Sequence, residues 1–199
     1  RLFADGKQIE TLKQKPISDN RYAFTVKLKA GLIKYKVELV VMRSDAEQLL
    51  HTADNIVCGD AFIIEGQSNA LATDTREDAP RETNQWIRSY GEPMGVKSAE
   101  TPNLWCNPVW KFASGEAHRA SREEHKAVLG WWGMELAKRL VESQRVPVCI
   151  INGAVGGTRI DQHQRNPDNP EDLSTIYGRL LWRVRQARLT HGIRAVLWH

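Results

Sequence analysis

The sequence predicts an α/β domain in which helices cover both faces of a parallel sheet, preceded by a β-rich section. Three short runs predict strands. Residues 61–64 form a continuous apolar run, as expected of a strand that is buried on both faces, residues 146–151 are a second buried run, and residues 193–198 are a third strand. Segments with apolar residues at helical spacing separate these runs, and alternation of strands and helices is typical of a parallel sheet. We therefore divide the chain into a β-rich section over 1–57 and an α/β domain over 58–199.

The β-rich section is predicted from two runs in which apolar and polar residues alternate, 22–28 and 33–41. Gly31 lies between them, and two runs of period 2 around a glycine indicate an antiparallel hairpin with one buried face. We interpret the whole section, 1–57, as a β-sandwich or as part of one.

Two helices are predicted in the α/β domain. The first covers about 121–143, where Ser121 and Glu124 form a capping box. The second begins at Pro170 and keeps its apolar residues on one side as far as Val184. Apolar residues recur in the first helix at Val128, Trp131, Trp132, Leu136 and Leu140.

A long loop is predicted over 72–115, which is rich in Asp, Pro, Asn and Gly and shows no sustained period. Long loops in compact domains are usually functional or disordered. The tryptophans of 86–110, which include Trp105, argue for an ordered loop. Their rings form either a platform on which sugar rings stack or a packed cover over the sheet.

Composition and charge exclude several classes of protein. The 199 residues carry a net charge of +4, but the basic residues alternate with apolar ones and match no nucleic-acid-binding motif. No apolar run approaches the ~20 residues of a membrane-spanning helix. The three cysteines, Cys58, Cys106 and Cys149, are far apart and form no C-x-x-C, so no zinc or other metal is expected. Nucleic acid is not an expected partner, no membrane span is expected, and nothing in the sequence indicates an oligomeric state.

Chemically suggestive residues follow all three predicted strands. They are Gly66-Gln67-Ser68-Asn69, the segment 153–158, and Trp198-His199. The carboxyl ends of parallel strands lie along one edge of a sheet, where α/β proteins bind their ligands. We therefore expect these residues to converge on one site.

Ser68 has two interpretations. It is either the N-cap of the following helix or a nucleophile, which would require a neighbouring base and donors for the oxyanion. The N–H groups of Ser68 and of the Gly156-Gly157 turn could be those donors. The two glycines could also form only a tight turn or a phosphate cradle. Neither common phosphate-binding motif is matched, which disfavours a nucleotide-binding module.

Three blocks carry a resemblance to a known family. "GDAFIIEGQSNA" at 59–70 resembles the first block of the SGNH-type hydrolases, in the sialate O-acetylesterase and acetylxylan esterase branch. "INGAVGGTRID" at 151–161 resembles the second block, and "AVLWH" at 195–199 resembles the start of the third. The three blocks occur in the family's order. The most specific part of the match is G-Q-S-N, within the first block.

The resemblance implies a flavodoxin-like three-layer α/β/α fold. It also implies a serine esterase that removes O-acetyl groups from carbohydrate of the sialic acid or xylan type, through an acetyl-enzyme and without a cofactor. Ser68 matches the nucleophile and one oxyanion donor, and either Gly156 or Gly157 matches a second donor. Secretion or a periplasmic location is implied as well. Candidate substrate contacts are Gln67, Asn69, Thr158, His163 and Trp105.

The histidine and aspartate of the family's D-x-x-H block do not occur within this sequence. We therefore expect the chain to be incomplete at its C-terminal end. The local pair Asp161 and His163 is a weaker alternative for the base, and His199 is expected to orient the third-block loop. The rival hypothesis is a non-catalytic or degenerate carbohydrate-binding protein on the same fold, because fold does not determine function.

Overall fold

The computed structural model shows two compact units that divide between Cys58 and Gly59. The described residues are 1–15, 21–43, 46–72, 84–91, 110–114 and 126–199.

The first unit contains one antiparallel sheet of four strands in the order β2-β1-β3-β4. Asp5 and Gly6 join β1 to β2, both with positive φ (47° and 81°), as in the two-residue turns that match strand twist. The strands are β1 (Leu2–Ala4), β2 (Lys7–Glu10), β3 (Gly31–Arg43) and β4 (Ala46–Cys58).

The predicted hairpin between 22–28 and 33–41 is wrong in its first strand. Residues 33–41 do form a strand, within β3, but residues 22–28 do not. The reason is that β1 pairs with one edge of β3 and β4 pairs with the other, so β3 has no edge left for a further partner. The described residues of this unit form one sheet, and the sandwich arrangement stays a prediction.

The second unit contains a six-stranded sheet in the order β10-β5-β9-β6-β7-β8. The first four strands in that order are parallel, β7 runs antiparallel to β6, and β8 is parallel to β7. This confirms the predicted α/β class and parallel core, while β6 and β7 lie in the segment predicted as a loop. The strands are β5 (Asp60–Glu65), β6 (Ile87–Tyr90), β7 (Trp110–Ser114), β8 (Lys126–Val128), β9 (Val148–Asn152) and β10 (Ile193–Trp198).

The helices of this unit start later than predicted. Helix α2 begins at Trp131, after Gly130 with φ of 78°, and Val128 lies in β8 instead. The predicted capping box at 121–124 falls outside the described residues. Helix α3 begins only after Thr175, whose side chain accepts a hydrogen bond from the Gly178 N–H. The helices are α1 (Ser68–Leu71), α2 (Trp131–Gln144), a short 3-10 helix (Ile160–His163) and α3 (Ile176–Gln186).

The two longer helices cover opposite faces of the sheet. Ile63 and Ile151 belong to the buried cluster that includes Val184 of α3. Ile64, the next residue along β5, lies against Gly133 of α2. Successive strand residues point to opposite faces, so α2 and α3 are on opposite sides and the domain has three α/β/α layers. None of the helices in the described part of the chain is long and apolar enough to cross a membrane.

The carboxyl ends of β10, β5 and β9 lie side by side. Trp198 of β10 pairs with Glu65 of β5, and Ile64 pairs with Asn152 of β9. The three segments that follow these strands therefore leave the sheet at one edge, as expected from the sequence.

Candidate active site

The turn after β5 requires glycine at position 66. Gly66 has a φ of 134°, and a Cβ there would clash with the backbone oxygen of His199 and approach the Ala70 side chain to 3.0 Å. The His199 N–H donates to the Glu65 carbonyl (3.2 Å), and the Gln67 N–H donates to the His199 carbonyl (3.4 Å). The backbone after β10 is thus joined to the turn that presents Ser68.

Gln67, and not Ser68, is the N-cap of helix α1. Its side-chain oxygen accepts hydrogen bonds from the Ser68 N–H (2.8 Å) and from the Ser68 hydroxyl (2.6 Å). Ser68 is the first helical residue and is exposed at the edge of the sheet. The interpretation of Ser68 as a cap is therefore wrong, and both of its donors face a position where an acceptor oxygen can bind.

The turn after β9 lies against this serine. The Gly153 N–H donates to the Ile64 carbonyl (2.8 Å), and the Val155 N–H donates to the Gly66 carbonyl (3.0 Å). A Cβ built on Gly156 would stand 3.9 Å from the Ser68 Cβ, whereas one on Gly157 would meet nothing within 4 Å. Of the two glycines, Gly156 is the one that faces Ser68, and Gly157, with φ of 75°, shapes the turn.

A network of hydrogen-bonded side chains connects the end of β5 to the turn that follows β9. Nδ1 of His163 lies 2.5 Å from Oε1 of Glu65, and Nε2 of His163 lies 2.7 Å from the Thr158 hydroxyl. That hydroxyl donates to the Val155 carbonyl (2.6 Å). Glu65 and His163 are 7% and 9% exposed, so neither is open to solvent. Thr158 and His163, expected as substrate contacts, lie in this internal network.

The local pair predicted as a base is not formed. Asp161 is exposed and binds Arg159 through both of its oxygens (2.9 and 2.6 Å), while the carboxylate that contacts His163 is Glu65. Burial raises the pKa of Glu65, opposed first by the hydrogen bond with His163 and then by the Gly66 N–H and the charge of Arg183. Oε2 of Glu65 has no hydrogen-bond partner in the described part of the chain.

Asn152 anchors helix α1 from below, a role that the sequence analysis missed. Its Nδ2 donates to the carbonyls of Leu129 (2.9 Å) and Ala70 (3.3 Å), and its Oδ1 accepts from the Ala154 N–H (3.0 Å). The residue is 3% exposed. An asparagine at the end of the apolar run "VCIIN" was the available signal, because a buried carboxamide needs partners.

Arg183 of α3 was also missed. Its guanidinium donates to three carbonyls, those of Tyr90 (3.0 Å), Asn152 (2.6 Å) and Gly91 (2.9 Å). These carbonyls end β6 and β9, so one buried side chain ties a helix to the edge that carries the candidate site.

The other candidate contacts are placed differently. Asn69 is exposed beside Ser68, and its carbonyl accepts from the Trp132 indole N–H (3.0 Å). Trp105 lies outside the described residues. Trp110 is half-exposed and packs edge-on against Tyr90 with ring centroids 5.1 Å apart. Among the described residues, no group of three or more His, Cys, Asp and Glu side chains is arranged to hold a metal ion.

Comparison with known proteins gives one family match. The family model described as "carbohydrate esterase, sialic acid-specific acetylesterase" matches residues 58–199, which is more than two thirds of the chain. No curated protein matches the chain significantly.

Two solved structures are similar in part. A protein of Arabidopsis thaliana is 22% identical with a TM-score of 0.44, over 70% of this chain and 56% of that one. A carbohydrate acetylesterase from Xanthomonas citri is 17% identical with a TM-score of 0.41, over 83% of this chain and 35% of that one. The chain therefore spans little more than half of the first protein's length and about a third of the second's.

Proposed function

The chain belongs to the carbohydrate esterase family of sialic acid-specific acetylesterases, and on that premise we propose that it removes O-acetyl groups from carbohydrate with Ser68 as the nucleophile. The observation that carries the proposal is the place of Ser68. Ser68 is an exposed residue at the carboxyl edge of the parallel sheet, against the Gly156 turn, and its hydroxyl and N–H both donate to the Gln67 side chain. This edge is where α/β sheets bind ligands.

The proposed reaction has two steps. The Ser68 oxygen attacks the acetyl carbonyl, its proton passes through a base to the departing sugar oxygen, and an acetyl-enzyme remains. Water then attacks this ester, which releases acetate and returns the proton to Ser68. The negative charge on the carbonyl oxygen rests on the N–H groups of Ser68 and Gly156 in both steps.

Gln67 marks the position where the acetyl oxygen would bind. Its side-chain oxygen accepts from the Ser68 N–H in the structure, as the carbonyl oxygen of a substrate would. Substrate therefore displaces the Gln67 oxygen, and the freed carboxamide is then available to contact the sugar. Asn69 lies exposed on the other side of Ser68 and is the second proposed polar contact.

His163 is not the base in this proposal, because both of its ring nitrogens are engaged with Glu65 and Thr158. We propose that the base is a histidine of the family's D-x-x-H block, which does not occur within residues 1–199. The sialic acid or xylan type of substrate, and the stacking of sugars on tryptophans such as Trp105, also belong to the proposal.

The test uses the full-length protein and a fluorophosphonate probe, followed by peptide mapping. In parallel, acetate release is measured with O-acetylated sialic acid, acetylated xylan oligomers and a simple aryl acetate. We expect an adduct on Ser68 and turnover of at least one sugar ester. Sugar binding without an adduct and without turnover would instead support the degenerate carbohydrate-binding protein.

A further inference from the structure

The donor and the acceptor in each hydrogen bond among Glu65, His163 and Thr158 can be assigned by starting from the Val155 carbonyl, where this series of hydrogen bonds ends. The Val155 carbonyl can only accept, so the Thr158 hydroxyl donates its single proton there. The Thr158 oxygen must then accept from His163, and Nε2 of His163 therefore carries a hydrogen.

At the other end of this hydrogen-bond network, His163 and Glu65 share one proton. Nδ1 of His163 either accepts from a protonated Glu65 or, as imidazolium, donates to the Glu65 carboxylate. In both arrangements one proton lies between the two side chains, and the pair has no net charge. A pair without net charge is favourable at this buried position, since burying an unpaired charge costs free energy.

These directions separate the network from a catalytic triad. A carboxylate, a histidine and a hydroxyl stand in the order of a triad, but the base of a triad accepts the proton of the hydroxyl. Here Nε2 of His163 donates instead, so Thr158 is not activated as a nucleophile.

The network acts on the segment that faces Ser68. Val155 is held at its carbonyl by Thr158 and at its N–H by the Gly66 carbonyl. Gly156 follows directly, so the position of its N–H depends on both bonds.

Neighbouring elements hold the histidine ring and the carboxylate in place. Trp198 of β10 packs edge-on against His163, with centroids 5.2 Å apart and planes at 82°. Gly153 lies so close to Oε2 of Glu65 that a Cβ there would stand 2.5 Å from this oxygen.

We propose that Glu65, His163 and Thr158 are positioning residues that hold the Gly156 N–H at the oxyanion of the esterase reaction. This inference rests on the proposed function, because it assigns the network to the same site. Geometry of this kind matters because donors act on the transition state only when they are already in place.

The test compares Thr158→Val with Thr158→Ser in the full-length protein. Valine lacks the donor to Val155, whereas serine retains it. We expect kcat to fall between about tenfold and 100-fold in the valine variant with KM little changed, and to recover in the serine variant. Thr190→Val, at an exposed threonine before β10, is the matched control and should keep the wild-type kcat.

Two further measurements do not depend on turnover. In protein labelled with ¹⁵N-histidine, Nε2 of His163 should be protonated at neutral pH. Amide hydrogen exchange at Val155 and Gly156 should be faster in Thr158→Val than in Thr158→Ser.

The outcomes separate the two proposals. An unprotonated Nε2, unchanged exchange, or a wild-type kcat in Thr158→Val would overturn the positioning role. If the wild-type protein turns over no ester while Nε2 is protonated and exchange responds, the network stands and the proposed function fails.

Discussion

Gly156 lies directly against Ser68, with 3.9 Å between a Cβ built on the glycine and the Cβ of the serine. Gly157, one residue on, faces open space with a φ of 75°. Substitution by alanine would therefore place a methyl group beside Ser68 at Gly156 but in open space at Gly157. The two neighbouring glycines form a matched pair for mutation.

We predict that Gly156→Ala lowers esterase activity more than it lowers stability. The new methyl group is at ordinary contact distance from Ser68, so the fold accepts it, but it fills the space beside the nucleophile. Gly157→Ala should instead cost about 1–2 kcal/mol of stability, because φ is left-handed there. Acetate release and urea unfolding measure the two effects, and the reversed pattern would contradict the assignment of Gly156.

We predict that Asn152→Ala lowers the free energy of unfolding by about 2–4 kcal/mol. The change leaves the buried carbonyls of Ala70 and Leu129 without this donor, and each unsatisfied buried group costs about 1–3 kcal/mol. Asn169→Ala, at an exposed turn, is the control and should cost less than about 1 kcal/mol. Equal losses in denaturant unfolding would show that Asn152 does not anchor α1.

Glu65→Gln should change how stability depends on pH. Burial raises the pKa of Glu65 above its ordinary value of 4.5, against the opposing effects of His163 and Arg183. The Glu65 carboxyl therefore binds a proton more tightly in the folded state than in the unfolded state. The stability contributed by that proton is complete below about pH 4.5 and is lost as the pH rises through the folded pKa.

The measurement is urea unfolding of wild type and variant from about pH 4 to about pH 6, below the ordinary range of histidine. The stability of wild type relative to Glu65→Gln should fall as the pH rises. Asp161→Asn should show no such fall over this range, because the hydrogen bond from Arg159 lowers the pKa of Asp161 and its contribution is already complete above the ordinary value of 3.8. The same slope in both variants would be inconsistent with a raised pKa at Glu65.

Cys149 should resist alkylation in the folded protein. Burial raises the pKa of its thiol to about 12, although the charges of Arg183 and Arg88 oppose the shift. At about pH 8 the thiolate is scarce and the sulfur is enclosed. Peptide mapping after iodoacetamide should show modification of the half-buried Cys58 well before Cys149, which should react only in denaturant. Equal rates under native conditions would contradict this.

The strands that carry the site could be predicted because each is a short run of mainly apolar residues, interrupted only by Arg194 in β10. Strands β5 and β9 bury apolar side chains, whereas β10, at the end of the strand order, leaves Val196 and Trp198 60% and 51% exposed. The carboxyl ends of all three strands meet as the parallel arrangement requires. Strand β6 could not be predicted in this way. Arg88 and Ser89 occupy its centre and are both buried, so no run of apolar residues marks it.

The start of α2 was predicted too early for a related reason. Val128 stands at helical spacing before Trp131 and Trp132, yet it belongs to β8. The backbone turns at Gly130, whose φ of 78° separates strand from helix. The spacing of apolar residues over a single helical turn does not distinguish a strand residue from a helix residue. Gly130 was the better indicator of where the helix begins.

The Glu65–His163 pair had no local pattern to indicate it. The two residues are 98 positions apart and meet only because the segment after β9 folds back over the end of β5. A glutamate closing the apolar run "AFIIE" was the single clue, since a charged residue at a buried strand end needs a partner.

The most direct test of the account is acetate release by wild type and by Ser68→Ala, in full-length protein whose unfolding is measured alongside. Within the described part of the chain, the Ser68 hydroxyl donates to Gln67 alone, so its loss should cost about 1 kcal/mol of stability or less. The account predicts that turnover of the sugar ester disappears while the fold is kept. Turnover that survives in a folded Ser68→Ala protein would contradict the assignment of Ser68 as the nucleophile.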